Sequence, residues 1–355
     1  MQFTGKRVLV TGGTGSMGKT LVRRLLSGVH GVPDRVTVMS RDEGKQHDMR
    51  IQFMRRFVAT DEIIYKTFMN RLQFRIGDVR DYSDVCRAVS RSDIVINAAA
   101  LKQVPTCEYF PEQAVLTNCF GAANIVRAIH ENGYPVESVV AISTDKACKP
   151  VNVMGMTKSI QERIVVAANV GYEKTRFIGV RYGNVLASRG SVIPLFHQQI
   201  RTGGPITITV PEMTRFLLSL EQAVDTVVAA LESAQPGEIY VPRAPSASII
   251  NIAKALIGTA AVPIKVNGIR PGEKMHEVMV SDEEAPLCEE RGCYYAIRPM
   301  LPELSIDSPG IASPLKNEYS SGDEVLSFEA TEALLRQHGL MLDQVATDEI
   351  PELLR

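Results

Sequence analysis

The sequence lacks any uninterrupted apolar run approaching the ~18 residues that a membrane helix needs. Its start, "MQFTGKRVLVTGG", lacks the basic, apolar and small-residue order of a secretory leader. The chain is therefore expected to be soluble and cytoplasmic. Charge of one sign is also missing: 39 Lys and Arg stand against 40 Asp and Glu, a net charge of −1. That excludes a chain-wide positive field for nucleic acid or anionic lipid. The six cysteines (86, 107, 119, 148, 288, 293) form no C-x-x-C and no Cys/His pattern with zinc spacing. Reduced thiols are expected, with neither a disulfide framework nor a metal site. The histidines, His197 and His276 among them, have no metal spacing and are expected to be structural or surface residues. One absence is local. In "NVMGMTK" (152–158) the residue four before Lys158 is Met154. A methionine neither accepts nor donates a catalytic proton, so acid–base chemistry here requires other residues.

What is present is a regular alternation. Short apolar segments at 7–10, 35–40, 72–77, 93–99, 138–143 and 176–183 are separated by amphipathic helical stretches such as "EQAVLTNCFGAANIVRAIHENG". Strands that are apolar on both faces, repeated as βα units, predict a parallel sheet covered by helices on both sides. After about residue 184 the alternation fades into loop-rich sequence ("GGPITI", "VPRAPSAS", "IRPGEK", "IDSPGIASP") with helical patterns remaining at "LEQAVDTVVAALESA" and "SFEATEALLRQHGL". The expected organisation is a nucleotide-binding α/β domain over 1–184, with a segment near 213–243 returning to it, and a smaller substrate-binding domain with a C-terminal extension over 185–355. Residues 304–323 are expected to be a loop or flexible segment.

The first strand runs into "TGGTGSMGKTLVRRLL". Gly12, Gly15 and Gly18 make a glycine turn between strand and helix, with Thr14, Ser16 and Met17 in the same turn. Glycine permits positive φ and close backbone approach to a pyrophosphate, and the following helix offers free N–H groups to its charge. In a βαβ context this predicts a doubly wound, Rossmann-type dinucleotide site. The second strand ends in "SRDEGK". Ser40, Arg41 and Lys45 could hold a 2′-phosphate by charge-assisted hydrogen bonds, which favours NADP; Asp42 is the residue an NAD site would use. Asp78 and Val79 in "GDVRD" suit adenine, and Ala98, Ala99 and Ala100 in "NAAALK" suit a flat wall along the cofactor.

These stretches, with "AAALKQVPTCEYFP", "STDKA", "VMGMTK", "RYGNVLASRGSVIPLF", "MTRF", "RPGEK" and "EYSSGD", stand in an order that resembles the extended short-chain dehydrogenase/reductases. Within them the order is similar to the UDP-N-acetylglucosamine 4,6-dehydratases of the soluble, C5-inverting type. The match spans about residues 5–280 and continues at "EYSSGD". The resemblance implies a redox-neutral reaction: oxidation at C4, loss of the C5 proton and the C6 hydroxyl, then reduction at C6, with NADP as cofactor. Most short-chain dehydrogenases carry Tyr-x-x-x-Lys with an upstream Ser or Thr. Here the tyrosine is Met154, Lys158 is kept to hold the nicotinamide ribose, and the upstream residue is Thr144; some 4,6-dehydratases share this methionine.

Asp145 and Lys146 follow the fifth strand, at the carboxyl end of the sheet where such sites lie. The expected roles are C5 proton exchange by Lys146, its ammonium brought towards neutrality by desolvation, and protonation of the departing C6 hydroxyl by Asp145. Thr144 is expected to pass on the C4 hydroxyl proton, and Lys158 to stabilise developing charge. By the resemblance Lys102 and Asn118 join the cofactor contacts. Lys102, Met154, Asn184, Ser188, Arg189, Ser191, Val192, Arg215, Arg270 and Glu273 line the UDP-sugar. The alternatives are a C5-retaining dehydratase, a UDP-sugar epimerase and a non-catalytic NADP sensor. The resemblance also implies a homo-oligomer, a dimer or hexamer, and membership of a surface-polysaccharide pathway.

Overall fold

The computed structural model describes residues 2–54, 70–186, 191–304 and 313–345. Nine strands form one sheet: β1 (Arg7–Thr11), β2 (Arg35–Ser40), β3 (Leu72–Ile76), β4 (Ile94–Asn97), β5 (Ser138–Thr144), β6 (Arg176–Tyr182), β7 (Ile239–Pro242), β8 (Cys288–Arg291) and β9 (Tyr294–Ile297). Their order is β8-β9-β7-β6-β5-β4-β1-β2-β3. Strands β1 to β7 run parallel, and the β8–β9 hairpin closes one edge antiparallel. The predicted α/β class is thus the observed one. Order reverses between β1 and β4, which opens a crevice at the strands' carboxyl ends.

The apolar runs account for this layering. Val8, Val10, Ile94, Ile96, Val140 and Ile178 pack into one core beneath the helices Ser16–Ser27 and Leu220–Ser233. Leu9, Val95, Val139 and Phe177 point the other way, into a core under Tyr82–Val89 and Gly121–Asn132. Period-two alternation with both faces covered is why the strands look uniformly apolar. Gly28 ends the first helix in the left-handed conformation, and a Ser219–Gln222 capping box starts Leu220–Ser233.

Residues 214–243 return to the sheet layer through Leu220–Ser233 and β7. The β8–β9 hairpin, which the division at residue 185 assigned elsewhere, also joins the sheet. A separate core gathers Ile193, Phe196, Ile206, Met213, Ile252, Leu256 and Leu335 from the helices Val192–Arg201, Ile249–Ile257 and Phe328–Gln337 and the short parallel pair Ile206–Ile208 and Ile264–Val266. Among the described residues no helix is long and apolar enough to cross a membrane, and no cluster of His, Cys, Asp or Glu could hold a metal.

Candidate active site

At the end of β1, Gly12 adopts φ +65°, and a Cβ there would lie 2.7 Å from the Ala99 Cα. Backbone presses on backbone between β1 and β4, so only glycine fits. Gly15 is the N-cap of Ser16–Ser27, whose first turn holds Ser16, Met17 and Gly18. The Thr14 hydroxyl lies 3.0 Å from that of Ser40 and ties the glycine turn to the end of β2. A cleft of about 340 Å³ opens here, lined by Gly12, Thr14, Ser40, Arg41, Lys45, Asp78, Val79, Ala99 and Ala100 among others. Ala98 packs on the neighbouring core instead. Arg41 is half exposed, 3.6 Å from Asp78, and Lys45 pairs with Asp42 at 2.7 Å. Tight glycine backbone, helix N–H groups and a half-exposed arginine fit the phosphate and adenosine end of a dinucleotide.

The second cluster lies at the end of β5. Thr144 closes the strand, and Asp145–Ala147 form a single 3-10 turn beyond it. Asp145 is fully buried. Its Oδ1 accepts from the Thr144 hydroxyl at 2.8 Å and from Lys146 Nζ at 3.0 Å, while its Oδ2 has no hydrogen-bond partner among the described residues. Lys146 Nζ also lies 3.2 Å from Glu277 Oε1 and 3.5 Å from Asn184 Oδ1. Arg215 Nε approaches the same Glu277 oxygen at 3.8 Å, and its Nη1 donates to the carbonyls of Thr214, Lys274 and Met275. The structure thus brings Thr144, Asp145 and Lys146, expected as catalytic residues, together with Asn184 and Arg215, expected on the UDP-sugar, and adds Glu277, which the sequence does not signal.

The expected neutral Lys146 is not what the structure shows. Burial pushes its amine down, but Asp145 and Glu277 outweigh burial and raise it above the ordinary lysine value. The depressed lysine is Lys158. Burial brings it down to about 8, with Glu162 opposing. Its Nζ donates to the Ile142 carbonyl at 2.8 Å and to Gln161 Oε1 at 2.9 Å, which uses two of three donors.

Lys158 sits on the helix Val153–Ala167, capped by the Asn152 side chain on the Gly155 amide. Gly155 sets that helix against the Asp145–Ala147 turn: a Cβ there would meet the Lys146 carbonyl oxygen at 2.2 Å. Gly155→Ala is therefore expected to push the helix and the Asp145–Lys146 turn apart. Turnover should fall about 10²-fold, with a stability loss of roughly 1–3 kcal/mol, read by steady-state kinetics and thermal melting.

Other expected contacts lie elsewhere. Met154 is buried against Cys107 and Ala114, a packing residue of the helix layer. Asn118 is fully buried, and its amide is spent on Leu101 N (2.9 Å), Leu101 O (3.0 Å) and the Thr157 hydroxyl (2.9 Å). It braces the loop that carries Lys102, which is exposed, and does not face the cleft. Arg270 is exposed, and the Glu273 carboxylate accepts from its backbone N–H at 3.3 Å, so the two close a turn. Ser191 is the N-cap of Val192–Arg201, its hydroxyl buried without a partner among the described residues, and Val192 packs on the separate core around Phe196. Ser188 and Arg189 lie outside the described residues.

A buried ion triad fixes the frame beneath. Arg181 of β6 pairs with Glu162 at 2.7 Å and with Glu284 at 2.7 Å, all three nearly solvent-free. It joins β6, the Val153–Ala167 helix and the 281–284 turn.

Comparison with known proteins agrees with this geometry. Residues 8–299 match the family described as "Polysaccharide biosynthesis protein". The chain is 43% identical to the UDP-N-acetylglucosamine 4,6-dehydratase (inverting) of Campylobacter jejuni, over 84% of each chain. It is also 43% identical to the UDP-glucose 4-epimerase of Rickettsia bellii, over 83% of each. The crystal structure of Pen from Bacillus thuringiensis superposes with a TM-score of 0.84 at 32% identity, covering 96% of this chain and all of that one. A Streptomyces venezuelae dTDP-glucose 4,6-dehydratase shares the fold at a TM-score of 0.63 and 21% identity, over 76% of this chain and 86% of that one. The chain therefore belongs to the polysaccharide biosynthesis protein family, built on the Rossmann-type frame of the short-chain dehydrogenases.

Proposed function

We infer that this chain is an NADP-dependent UDP-N-acetylglucosamine 4,6-dehydratase that inverts C5. Its product would be UDP-2-acetamido-2,6-dideoxy-β-L-arabino-hexos-4-ulose, an intermediate for surface glycans. The observation that carries this reading is the Thr144–Asp145–Lys146 cluster at the carboxyl end of β5, with a buried carboxylate oxygen left open. The dinucleotide, held by the Gly12 turn, Arg41 and Lys158, would supply hydride chemistry for oxidation at C4 and reduction at C6. The protein's own task is to move protons.

Thr144 donates to Asp145 at 2.8 Å, which gives the C4 hydroxyl proton a path to that carboxylate. Asp145 then delivers it to the departing C6 hydroxyl, which leaves as water. Lys146 removes the C5 proton, and its solvent-exchanged amine delivers a proton to the opposite face. Met154 plays no part in this relay, and the free third donor of Lys158 is available to a ribose hydroxyl. Arg215 supplies positive charge for the UDP pyrophosphate.

Arg41 supports NADP over NAD, because it is a half-exposed cation in the cleft that a 2′-phosphate would enter. Arg41→Ala is expected to weaken NADP binding about 10–100-fold and leave NAD binding nearly unchanged, by titration calorimetry. A homo-oligomer is supported by an exposed apolar face: Tyr109, Phe110, Phe120, Met156 and Ile160 lie on segments packed against one another. Phe120→Glu with Ile160→Glu should reduce the mass in light scattering to the 39.0 kDa of one chain.

A second reading is a UDP-sugar 4-epimerase, favoured by the equal identity to the Rickettsia enzyme. Incubation with UDP-N-acetylglucosamine and NADP separates them by mass spectrometry. A dehydratase product lacks one water; an epimer keeps the substrate mass.

A further inference from the structure

Lys146 presents a chemical problem that Asp145 alone does not solve. Its ammonium rests against two carboxylates, Asp145 at 3.0 Å and Glu277 at 3.2 Å. To take a proton from C5 it must first lose one. Asp145 is already committed, because it receives the C4 hydroxyl proton through Thr144. A second buried acceptor is needed within reach of Nζ.

We propose that Glu277 is the proton store of Lys146, a positioning residue that acts through the lysine rather than on the sugar. This role rests on the dehydration proposed above. Glu277 is 2% exposed, and among the described residues its Oε2 has no hydrogen-bond partner, so the carboxyl group has an oxygen to carry a proton. The protons balance over one turnover. Asp145 gains the C4 hydroxyl proton. An Nζ–H bond of Lys146 breaks and an Oε–H bond forms on Glu277. The C5–H bond breaks and Nζ takes that proton, while Asp145 gives its proton to the C6 hydroxyl and water leaves. Lys146 returns a proton to C5, and Glu277 returns its own to Lys146, which restores the starting charges.

The fold holds Glu277 for this task. Its backbone N–H donates to the Ser321 hydroxyl at 2.9 Å, and its carbonyl accepts from the Ser321 N–H at 2.8 Å. The Ser321 hydroxyl lies 2.7 Å from that of Thr214, which lies 2.8 Å from His276 Nδ1. The "EYSSGD" segment, far along the chain, thus clamps the residue facing Lys146. The charged groups around Lys146 are Asp145 on its own turn, Glu277, and the cations Arg215 and Lys274.

Glu277→Gln keeps the shape and removes the acceptor. Two measurements test the role. In the free protein, with 15N-labelled lysine side chains and Lys146→Ala for assignment, the Lys146 amine should titrate about one pH unit or more lower in Glu277→Gln than in wild type. With UDP-N-acetylglucosamine in D2O, wild-type C5 exchange should vary little between pH 6 and 8. In Glu277→Gln the proton must leave to solvent, so the rate should rise about tenfold per pH unit. Glu277→Asp should restore the flat profile. A merely structural role would lower the rate by a constant factor at every pH. An unchanged Lys146 titration, or a flat profile in Glu277→Gln, overturns the assignment. If wild type removes no water from the sugar, the dehydratase reading fails, and the lysine titration still decides whether Glu277 governs Lys146.

Discussion

Lys146→Ala is expected to slow solvent-deuterium exchange at C5 by about 10²–10⁴-fold, the usual contribution of a positioned general base. The cofactor cleft around Gly12 and Arg41 has no part in that loss, so dinucleotide binding should persist. Alanine also strips the cation from two buried carboxylates, and a broken buried pair costs roughly 3–5 kcal/mol. Lys146→Arg separates the two effects. Arginine keeps the positive charge between Asp145 and Glu277 but stays protonated throughout the working range. It should melt near wild type and still fail to exchange C5. Wild-type exchange rates in Lys146→Ala would remove Lys146 from the mechanism.

Arg181→Met carries an equally large expected stability loss. It leaves Glu162 and Glu284 buried without their shared cation, at a cost of roughly 3–5 kcal/mol. Burial raises the Glu284 carboxyl, but Arg181 more than offsets this and holds it down to about 2. A carboxyl depressed in the folded state stabilises fully above its unfolded value near ~4.3, and that contribution is lost as pH falls towards 2. Wild-type melting should therefore drop steeply between about pH 4.3 and pH 2, and Glu284→Gln should flatten that limb. Glu162 lies one helical turn beyond Lys158, so Arg181→Met should also impair turnover in the protein that remains folded. A melting temperature within a degree or two of wild type would show that the triad is no keystone.

The particular residues explain how far the sequence could lead. The apolar runs at 7–10, 94–97 and 138–144 announce themselves because both faces are buried, and period and neighbours agree. Asp145 and Lys146 were readable because a βα unit places whatever follows the strand at the carboxyl edge of the sheet. Glu277 carries no such local signal. It reaches Lys146 only through a strand pairing near the C-terminus, where Ser321 clamps its backbone. Burial of Lys146 is foreseeable from its place after β5; the second carboxylate that opposes it is not. Asn118 and Met154 were assigned from their place in an ordered motif, and their packing turned them inward to Leu101, Thr157 and Cys107. Position in a motif fixes the neighbourhood of a residue, while its partners fix what it faces.

The central claim is that this cluster exchanges the C5 proton and expels the C6 hydroxyl. The most direct measurement is the NMR spectrum of the product formed from UDP-N-acetylglucosamine and NADP in D2O. The account predicts a 4-keto-6-deoxy sugar with one deuterium at C5 and inverted configuration there. A sugar that keeps its C6 hydroxyl, with C4 inverted and hydrogen retained at C5, would contradict it.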